Sequence, residues 1–393
     1  MRILIVSDVS GHMHGGVPAE ARVLAAGLRT RGHEVAYCGD IPIAAEAGVR
    51  HFGLSIESAQ RLREGVAAAL AAFQPDLVHV LAMSSRGLRA LRAPLRGRPW
   101  VLTCHSIPPH ERKLAAWHGS ERLHYAARDL WFVPHGVAWR SLLAKRMPPA
   151  VVTHSQRVAD IVQRHGYPIG RTRCIGLGAD IGVEPLRAAG AAAIGEAPTF
   201  VTVAGIAHTK GQHDALRAMQ ALRADFPRLS YRLVGEVRDA SYLAHLKALI
   251  EQGGLAEHVR IEPGLDEAAK QAALRSADLY LQPSHEEGFC LAYLEAAACV
   301  PRLIGTDTGA IRLVSAGDAG MRVVPPRSPH TLAAAMRSLL RQPLPEGLLP
   351  ARVQRLRSEF SWRRHLDAHE RLYEELVEAP LESRLAPSLS DFA

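Results

Sequence analysis

The start of the chain alternates apolar runs with a helical pattern, and few folds accommodate that order. Residues 2–6 form a short apolar run, a loop rich in Gly and His follows, and residues 19–31 show helical spacing of apolar positions. Gly32 ends this helix, and residues 34–38 form a second apolar run. Two parallel strands need a crossover of a dozen or more residues, usually a helix. The first forty residues therefore predict a β-α-β unit of a parallel sheet.

The same alternation continues in two series that are separated by a shift in composition. The stretch 188–198 is rich in Ala and Gly and ends in Pro198, which is typical of an interdomain linker. Several runs are continuously apolar, as expected for strands buried on both faces, so each series predicts a doubly wound α/β domain. The predicted strands are 77–81, 100–104, 151–154 and 172–175 in the first series, and 200–204, 231–234, 259–261, 279–281, 302–304 and 321–324 in the second. The predicted segments are a first domain at 1–187, the linker at 188–198, a second domain at 199–360, a helix at 361–378 and a frayed tail at 379–393.

Composition excludes several classes of protein. The 393 residues are 48% hydrophobic with a mean hydropathy of -0.02, which is typical of folded globular chains rather than disordered or disulfide-rich ones. No stretch approaches the roughly 20 apolar residues of a membrane helix, so we expect a cytoplasmic protein. The five cysteines are scattered without Cys-x-x-Cys spacing, which predicts reduced thiols and no zinc site.

The net charge of +8 is concentrated between Arg86 and Arg146. Such a surface could contact an anionic membrane, an anionic substrate or nucleic acid, but no nucleic-acid motif accompanies it, and a solvated arginine-rich face is the favoured interpretation. Residues 108–146 also hold five aromatic residues, which fit a lipid-linked acceptor at a membrane surface, the lining of an acceptor pocket, or ordinary core packing.

The segment 283–296 carries the densest set of functional residue types. It follows a predicted strand and opens a predicted helix, where free N–H groups and the helix dipole favour a phosphate. Gly288 allows a ligand close to the backbone, and Glu295 is expected two turns deeper on the same helix face as Glu287. Carboxylates accept hydrogen bonds from hydroxyls, so a nucleotide sugar fits this pattern. The alternative, a capped helix with an exposed acid, fits the pattern equally well.

Wider motifs give this segment a family resemblance. Pro283-Ser284, Glu287-Gly288-Phe289 and Glu295 resemble the signature of retaining glycosyltransferases of family 4, which have the GT-B fold. Further matching stretches cover most of the chain: Gly32 to Val35, Pro75 to His79, Thr103 to His105, Lys210-Gly211, Val234-Gly235 and Phe360 to Trp362. The resemblance implies two Rossmann-like domains facing across a cleft, with the terminal helix crossing back to the first domain.

The resemblance also implies roles for individual residues. Glu287 would contact the donor sugar, Glu295 the ribose, and Lys210 would neutralise the diphosphate; Lys210 is one of only five lysines beside 42 arginines. His105 would face the donor sugar from the end of a strand. The predicted catalytic residues are Glu287, Lys210 and His105. The residues predicted to bind the donor are Gly15, Gly16, Gly205, Lys210, Gly288, Phe289, Cys290, Leu291 and Glu295.

The sequence also departs from the family pattern. The Arg usually found a few residues before the lysine is absent from Gly205 to Thr209, and Arg312 is one candidate to replace its charge. Cys290 stands where the signature has a third Gly, and the segment 308–312 replaces a Gly-Gly followed by a Glu.

These features predict a retaining glycosyltransferase that moves a hexose from a nucleoside diphosphate sugar, with UDP favoured, to an unidentified glycan, lipid-linked or small-molecule acceptor. No Asp-x-Asp pair occurs, so we expect metal-independent transfer and no metal ligands. The alternatives are a catalytically impaired relative and a sugar-nucleotide epimerase or hydrolase. A nicotinamide enzyme is disfavoured because Gly15 and Gly16 do not begin a Gly-x-Gly-x-x-Gly fingerprint. No nucleic-acid partner is expected, and the oligomeric state stays open.

Overall fold

The computed structural model describes residues 1–7, 16–40, 48–105, 148–164, 166–181, 194 and 196–379. They divide into two compact units, Met1–Leu177 with Trp362–Ala393, and Gly178–Ser361. Gly15, the basic and aromatic segment 108–146, and most of the predicted linker and tail lie outside the described residues.

The described part of the first unit is built on a seven-stranded sheet in the order β3-β2-β1-β4-β5-β6-β7, with all neighbours parallel. Its strands are β1 (Arg2–Ser7), β2 (Glu34–Gly39), β3 (Arg50–Gly53), β4 (Leu77–Ala82), β5 (Trp100–Cys104), β6 (Ala150–Thr153) and β7 (Thr172–Cys174). Its helices are α1 (Gly16–Thr30), α2 (Ala59–Phe73), α3 (Ser85–Leu91), α4 (Gln156–Arg164) and, from the end of the chain, α12 (Trp362–Glu378).

Alternate side chains along the strands pack into two hydrophobic layers, one on each face of the sheet. In β4, Val78 and Val80 pack with α2 on one face of the sheet, whereas Leu77 and Leu81 pack with α1 on the other. Burying each such side chain stabilises the fold by roughly 1.5–3 kcal/mol, which explains why these strands are mainly apolar.

The last helix, α12, packs on the first unit although it follows the second unit in sequence. Its residues Leu366, Leu372 and Tyr373 belong to the same core cluster as the apolar face of α1. Arg31 at the end of α1 is paired with Asp367 and Glu370 of α12. The apolar stripe predicted at 361–378 is therefore buried against α1.

The second unit contains a six-stranded parallel sheet in the order β10-β9-β8-β11-β12-β13. Its strands are β8 (Thr199–Val203), β9 (Ser230–Val234), β10 (Val259–Glu262), β11 (Leu279–Gln282), β12 (Arg302–Thr306) and β13 (Met321–Val324). Its helices are α5 (Gln212–Leu222), α6 (Ala240–Gln252), α7 (Glu267–Ser276), α8 (Leu291–Ala297), α9 (Ile311–Val314), α10 (Pro329–Arg341) and α11 (Leu348–Glu359).

The boundary between the units falls at Leu177 and Gly178 rather than at 187. The reason is that residues 179–181 are held by the second unit: the Ala179 amide donates to the Phe360 carbonyl at 3.1 Å, and Arg357 donates to the Ile181 carbonyl at 3.1 Å. Ile194, inside the predicted linker, packs against the core of the second unit.

None of the described helices combines the length and the apolar character needed to span a bilayer.

Candidate functional site

The sheet of the second unit reverses its strand order between β8 and β11. In parallel α/β sheets, ligands bind outside the carboxyl ends of the strands at such a switch point. The two loops that leave these strands touch each other, because the His285 amide donates to the Thr209 carbonyl at 2.8 Å. Gly211 allows this contact: its φ is +64°, and a Cβ there would lie 2.1 Å from the Pro283 carbonyl oxygen.

An ion pair joins the two loops at this point. Lys210 Nζ donates to Glu287 Oε1 at 2.8 Å, and the same oxygen accepts from Ser284 at 2.7 Å and from Gln282 at 3.2 Å. The Glu287 side chain is only 9% exposed. Burial alone would lower the pKa of Lys210, but the Glu287 carboxylate outweighs it and raises that pKa. The structure thus brings together two of the three predicted catalytic residues, with Lys210 fully charged.

Helix α8 starts later than the sequence predicts. Cys290 has φ 85° and ψ 72°, a left-handed conformation, and the helix begins at Leu291. Gly288 and Phe289 lie in the preceding loop, so the expectation that Glu295 and Glu287 share a helix face is wrong. Glu295 lies about one turn into α8, whereas Glu287 is fixed by the loop contacts described above.

Glu295 is held by a lysine of the neighbouring helix α7. Lys270 Nζ lies 3.0 Å from Glu295 and 2.8 Å from Glu267, which is 70% exposed. Burial would lower the pKa of Lys270, and the two carboxylates, Glu295 first, raise it. The Glu295 carboxylate is therefore fixed in direction while one third of its side chain is exposed.

Arg238 is a cation that the sequence reasoning missed. It follows β9, the strand beside β8, and its amide donates to the Ile206 carbonyl at 3.1 Å. Its side chain lies on Gly205, where a Cβ would be 2.8 Å from Arg238 Nε. Its charge acts on Lys210, lowering the pKa of that lysine slightly against the stronger effect of Glu287. The signal available in the sequence was the position of Arg238 just past the carboxyl end of β9, the strand beside β8.

Arg312, the candidate to replace the charge of the missing arginine, is paired with Asp307 instead. Its guanidinium donates two hydrogen bonds to the Asp307 carboxylate, at 3.0 and 2.6 Å, and its side chain is 71% exposed. These two bonds raise the pKa of Arg312. The added positive charge beside Lys210 comes from Arg238.

In the first unit, His105 follows β5 and lies beside a buried carboxylate, Glu20 of α1. Burial lowers the pKa of His105 to about 4, although Glu20 opposes the shift. His154 after β6 and His365 of α12 surround the same carboxylate. Gly16 is the first residue of α1. The sequence reasoning missed Glu20, His154 and His365; the placement of His105 and His154 at the ends of adjacent strands was the available signal.

A second missed polar cluster lies beneath the loops of the second unit. His285 Nε2 and Asp214 Oδ2 are 2.7 Å apart, and Tyr242 contacts the ring of His213 at 2.8 Å. Burial would raise the pKa of Asp214, but the hydrogen bond from His285 and nearby positive charge lower it. This network fixes the loop just before Glu287.

Two family models match the chain, Glycosyltransferase Family 4 over residues 14–183 and Glycosyl transferases group 1 over residues 189–355. Together they identify a glycosyltransferase of the family 4 type. The second match contains every residue of the site just described in the second unit, and the first contains Glu20, His105 and His154.

Curated relatives match parts of this family 4 chain. A D-inositol 3-phosphate glycosyltransferase of Jonesia denitrificans is 30% identical over 151 residues, 38% of this chain and 35% of that protein. A glycogen synthase of Mycobacterium tuberculosis is 32% identical over 176 residues, 44% of this chain and 41% of that protein. The matches thus span well under half the length of these relatives.

Solved structures of low sequence identity establish the fold. Sucrose-phosphate synthase from Thermosynechococcus elongatus gives a TM-score of 0.76 at 19% identity, covering 97% of this chain and all of that one. HepE of Anabaena in complex with UDP and glucose gives 0.73 at 17% identity, covering 95% and 100%. The two parallel sheets and these neighbours confirm the predicted GT-B fold.

Proposed function

We propose that this family 4 chain transfers a sugar from a nucleoside diphosphate sugar to an acceptor hydroxyl, with retention of configuration. The observation that carries the proposal is the Lys210–Glu287 ion pair with Arg238 beside it, placed where β8 and β11 diverge. Two cations and one fixed carboxylate at the carboxyl ends of parallel strands match a ligand that is anionic at one end and rich in hydroxyls at the other.

The cations act on the leaving group. When the bond from the sugar to the diphosphate breaks, negative charge grows on the diphosphate, and fixed positive charge lowers the barrier. A lysine ammonium has three N–H donors, so Lys210 can donate to Glu287 and to a phosphate oxygen together. Arg238 adds the second cation that the missing family arginine would otherwise supply.

The carboxylates orient the donor. Glu287 accepts hydrogen bonds from sugar hydroxyls, and Glu295 accepts from the ribose hydroxyls. Lys270 holds the Glu295 carboxylate in place by an ion pair at 3.0 Å, so the ligand does not have to immobilise it. Because a nucleoside diphosphate is already a good leaving group, positioning and charge stabilisation supply most of the rate.

Retention follows from a front-face transfer, in the form that the family resemblance implies. The acceptor oxygen bonds to the anomeric carbon on the face from which the diphosphate departs, and a diphosphate oxygen takes the acceptor proton. No metal at the diphosphate enters this step, so added Mg²⁺ or Mn²⁺ should leave the initial rate unchanged.

We propose UDP as the nucleotide of the donor. The HepE structures at 17 to 18% identity contain UDP or UDP-glucose, which supports this choice. One curated relative is a GDP-mannose-dependent mannosyltransferase of Mycolicibacterium smegmatis, so GDP is the competing nucleotide in the test.

The test is a calorimetric titration with UDP, GDP and ADP and their common sugar conjugates. We expect UDP and one UDP-sugar to bind, and Glu295→Gln to weaken both. The matched control is Glu267→Gln, which removes the other, exposed partner of Lys270. Binding lost equally in both variants would show that Lys270, not the ribose contact, is the cause.

Two further outcomes separate the alternatives. Product released without any acceptor, beyond slow hydrolysis, would indicate an epimerase or hydrolase. The absence of binding by any nucleotide would indicate a catalytically impaired relative. Once an acceptor is found, the anomeric configuration of the product, read by NMR coupling constants, decides between retention and inversion.

The acceptor is proposed to be a hydroxyl of a glycan, a lipid-linked sugar or a small molecule bound by the first unit. Peripheral contact with an anionic membrane is proposed for the case in which the acceptor is lipid-linked. Sedimentation with anionic vesicles at low salt tests it, and failure to co-sediment removes that version.

A further inference from the structure

Polar side chains alternate along β11, a strand at the centre of the second sheet. Tyr280 and Gln282 lie on one face of the strand, and Ser284 continues the alternation just past its end, whereas Leu279 and Leu281 pack into the hydrophobic core. Tyr280 and Ser284 are fully buried, and Gln282 is 1% exposed. Burying a polar group costs free energy unless it is hydrogen-bonded, so each of these three groups needs a partner inside the protein.

Hydrogen bonds join the three side chains into a series that ends on Glu287. The Tyr280 hydroxyl donates to Gln282 Oε1 at 2.5 Å. Gln282 Nε2 donates to Ser284 Oγ at 2.8 Å and to Glu287 Oε1 at 3.2 Å. Ser284 Oγ donates in turn to Glu287 Oε1 at 2.7 Å. The two amide protons of Gln282 and the hydroxyl proton of Ser284 are thus all used.

The chemistry at the two ends of this series fixes the orientation of the Gln282 amide. A carboxylate only accepts hydrogen bonds, so the amide nitrogen faces Glu287 and the amide oxygen faces Tyr280. The Tyr280 hydroxyl must then donate, and the Val203 carbonyl oxygen, 3.3 Å away, likewise requires a donor. Burial raises the pKa of Tyr280 well above its usual range, so the hydroxyl keeps its proton.

The hydrogen bonds that the described residues donate to the Glu287 side chain all end on one oxygen. Oε1 accepts from Lys210, Ser284 and Gln282. A carboxylate has about four lone-pair sites, shared by its two oxygens. Oε1 is therefore fully used, and Oε2 keeps its capacity to accept hydrogen bonds from a ligand.

We propose that Gln282 is a positioning residue of the transfer reaction. With Ser284 it holds Oε1 of Glu287, and it thereby leaves Oε2 fixed as the acceptor for a hydroxyl of the donor sugar. Tyr280 supports Gln282 by setting the orientation of its amide. This inference rests on the proposed function, because it requires that Glu287 binds the sugar. It assigns two further residues to the sugar end of the donor rather than to its nucleotide.

The sugar contact can be measured separately from the nucleotide contact. Titration calorimetry of the full-length protein with UDP reports the binding of the nucleotide alone, and titration with UDP-glucose and UDP-galactose adds the sugar. The ratio of the Kd for UDP to the Kd for the tighter of these UDP-sugars isolates the contribution of the sugar. The measurement needs no acceptor. If the protein binds GDP instead of UDP, the same ratio is taken with GDP and GDP-mannose.

Gln282→Met keeps the length of the side chain and removes both N–H donors. One of the hydrogen bonds that fix the Glu287 carboxylate is then lost, so the sugar meets a less ordered acceptor. We expect the ratio to fall about 10-fold, which is the effect of losing one hydrogen bond to a charged group. The Kd for UDP should stay unchanged, because Lys210 and Glu295 are left in place.

Tyr280→Phe is the second variant, since it keeps the ring and removes only the hydroxyl that orients Gln282. It should lower the ratio about 3-fold, as expected for a neutral hydrogen bond. The matched control is Tyr293→Phe. Tyr293 is also fully buried, with its ring centroid 6.1 Å from that of Tyr280, but its hydroxyl lies 2.8 Å from Ser315 Oγ. The control should leave the ratio unchanged even if its melting temperature falls.

The outcomes separate this inference from the proposed function. If the wild-type protein binds no nucleotide and no nucleotide sugar, the proposed function is wrong and the inference is wrong with it. If the wild-type protein binds both but Gln282→Met leaves the ratio unchanged, or weakens both ligands alike, the role of Gln282 is structural and only the inference is wrong. If Gln282→Met fails to fold, Tyr280→Phe decides. Equal falls of the ratio in Tyr280→Phe and Tyr293→Phe would also overturn the inference.

Discussion

The backbone of Cys290, beside the proposed donor site, is strained. Its φ of 85° lies in the left-handed region, which costs a residue with a Cβ about 1–2 kcal/mol. Burial raises the pKa of its thiol well above the usual range, so the group is a neutral, packed thiol rather than a nucleophile. The family signature has Gly at this position, which adopts the conformation without strain.

Cys290→Gly should therefore stabilise the protein by about 1 kcal/mol. The relief of backbone strain in the folded state exceeds the extra conformational entropy that glycine gives the unfolded chain. Differential scanning calorimetry should show the midpoint of the second unit rising by roughly 2–4 °C. The matched control is Cys299→Gly, a buried cysteine outside the left-handed region, which should lower the midpoint. Equal losses in both variants would refute the strain argument.

The charge of Arg238 can be tested at the same scale. We expect Arg238→Gln to weaken UDP binding about 5- to 10-fold, or roughly 1 kcal/mol, because solvent screens most of the Coulomb attraction of an exposed cation. Titration calorimetry at low and moderate salt measures it, and the salt dependence should fall with the charge. Arg312→Gln is the control, since Asp307 already pairs with that cation. A larger loss from Arg312→Gln would reverse the assignment.

At the scale of elements, the docking of α12 on α1 depends on a close approach. A Cβ at Gly27 would lie 2.4 Å from Leu366 Cδ1, so α12 occupies the space that an alanine side chain would need. In an open helix, Gly→Ala would stabilise by about 1 kcal/mol. At this contact, overpacking should win.

Gly27→Ala should accordingly destabilise the first unit by about 1–2 kcal/mol and speed proteolysis of α12. Chemical unfolding and limited digestion of the full chain measure the two effects. In a Leu366→Ala background, Gly27→Ala should cost less than it does in the wild-type background. The control is Gly65→Ala in α2, whose Cβ would meet Leu54 Cδ1 at 3.2 Å, a contact that a small shift relieves. A stabilised Gly27→Ala would mean that α12 does not press on α1.

Element scale also shows what the sequence can predict. The sequence predicts the buried strands within a residue or two because strands covered on both faces are mainly apolar: β5, predicted at 100–104, is Trp100–Cys104. The edge strand β3 was missed because Arg50 and His51 are exposed and leave no apolar signal. Helix α8 was placed too early because Cys290 gives no sign, as a residue type, of its left-handed conformation.

The residues of the site also divide into those that the sequence predicts and those that it does not. Lys210 and Glu287 could be predicted because their motifs resemble the family signature, and the structure brings the two side chains together. Glu20, His154 and His365 could not, because their meeting depends on how α1, β6 and α12 pack. Arg238 was missed since its position follows from the pairing of β8 with β9.

At the scale of the whole molecule, buried neutral histidines make stability sensitive to acid. His213 in the second unit shows the effect. Burial lowers its pKa to about 3, although Asp214 opposes the shift. The charged and titratable groups that face it are Asp214, Arg217, His208, Tyr242, His245 and His285. In the unfolded chain a histidine has a pKa of about 6.5.

The direction of the pH effect on stability follows from the number of protons that each state binds. Between pH 6.5 and about 3 the unfolded state binds a proton at this residue and the folded state does not, so the folded state is favoured above pH 6.5 and loses stability as pH falls. Each pH unit below 6.5 costs about 1.4 kcal/mol per such group.

His213→Gln keeps a polar side chain near Tyr242 and removes this titration. Its stability relative to wild type should be constant above pH 7 and should improve by about 2 kcal/mol by pH 5, because only the wild type pays the proton-linked loss. Calorimetry of both proteins from pH 7.5 to pH 4.5 measures the difference above the range where carboxylates dominate. Parallel stability curves would show that His213 already binds a proton in the folded state, with Asp214 compensating its charge.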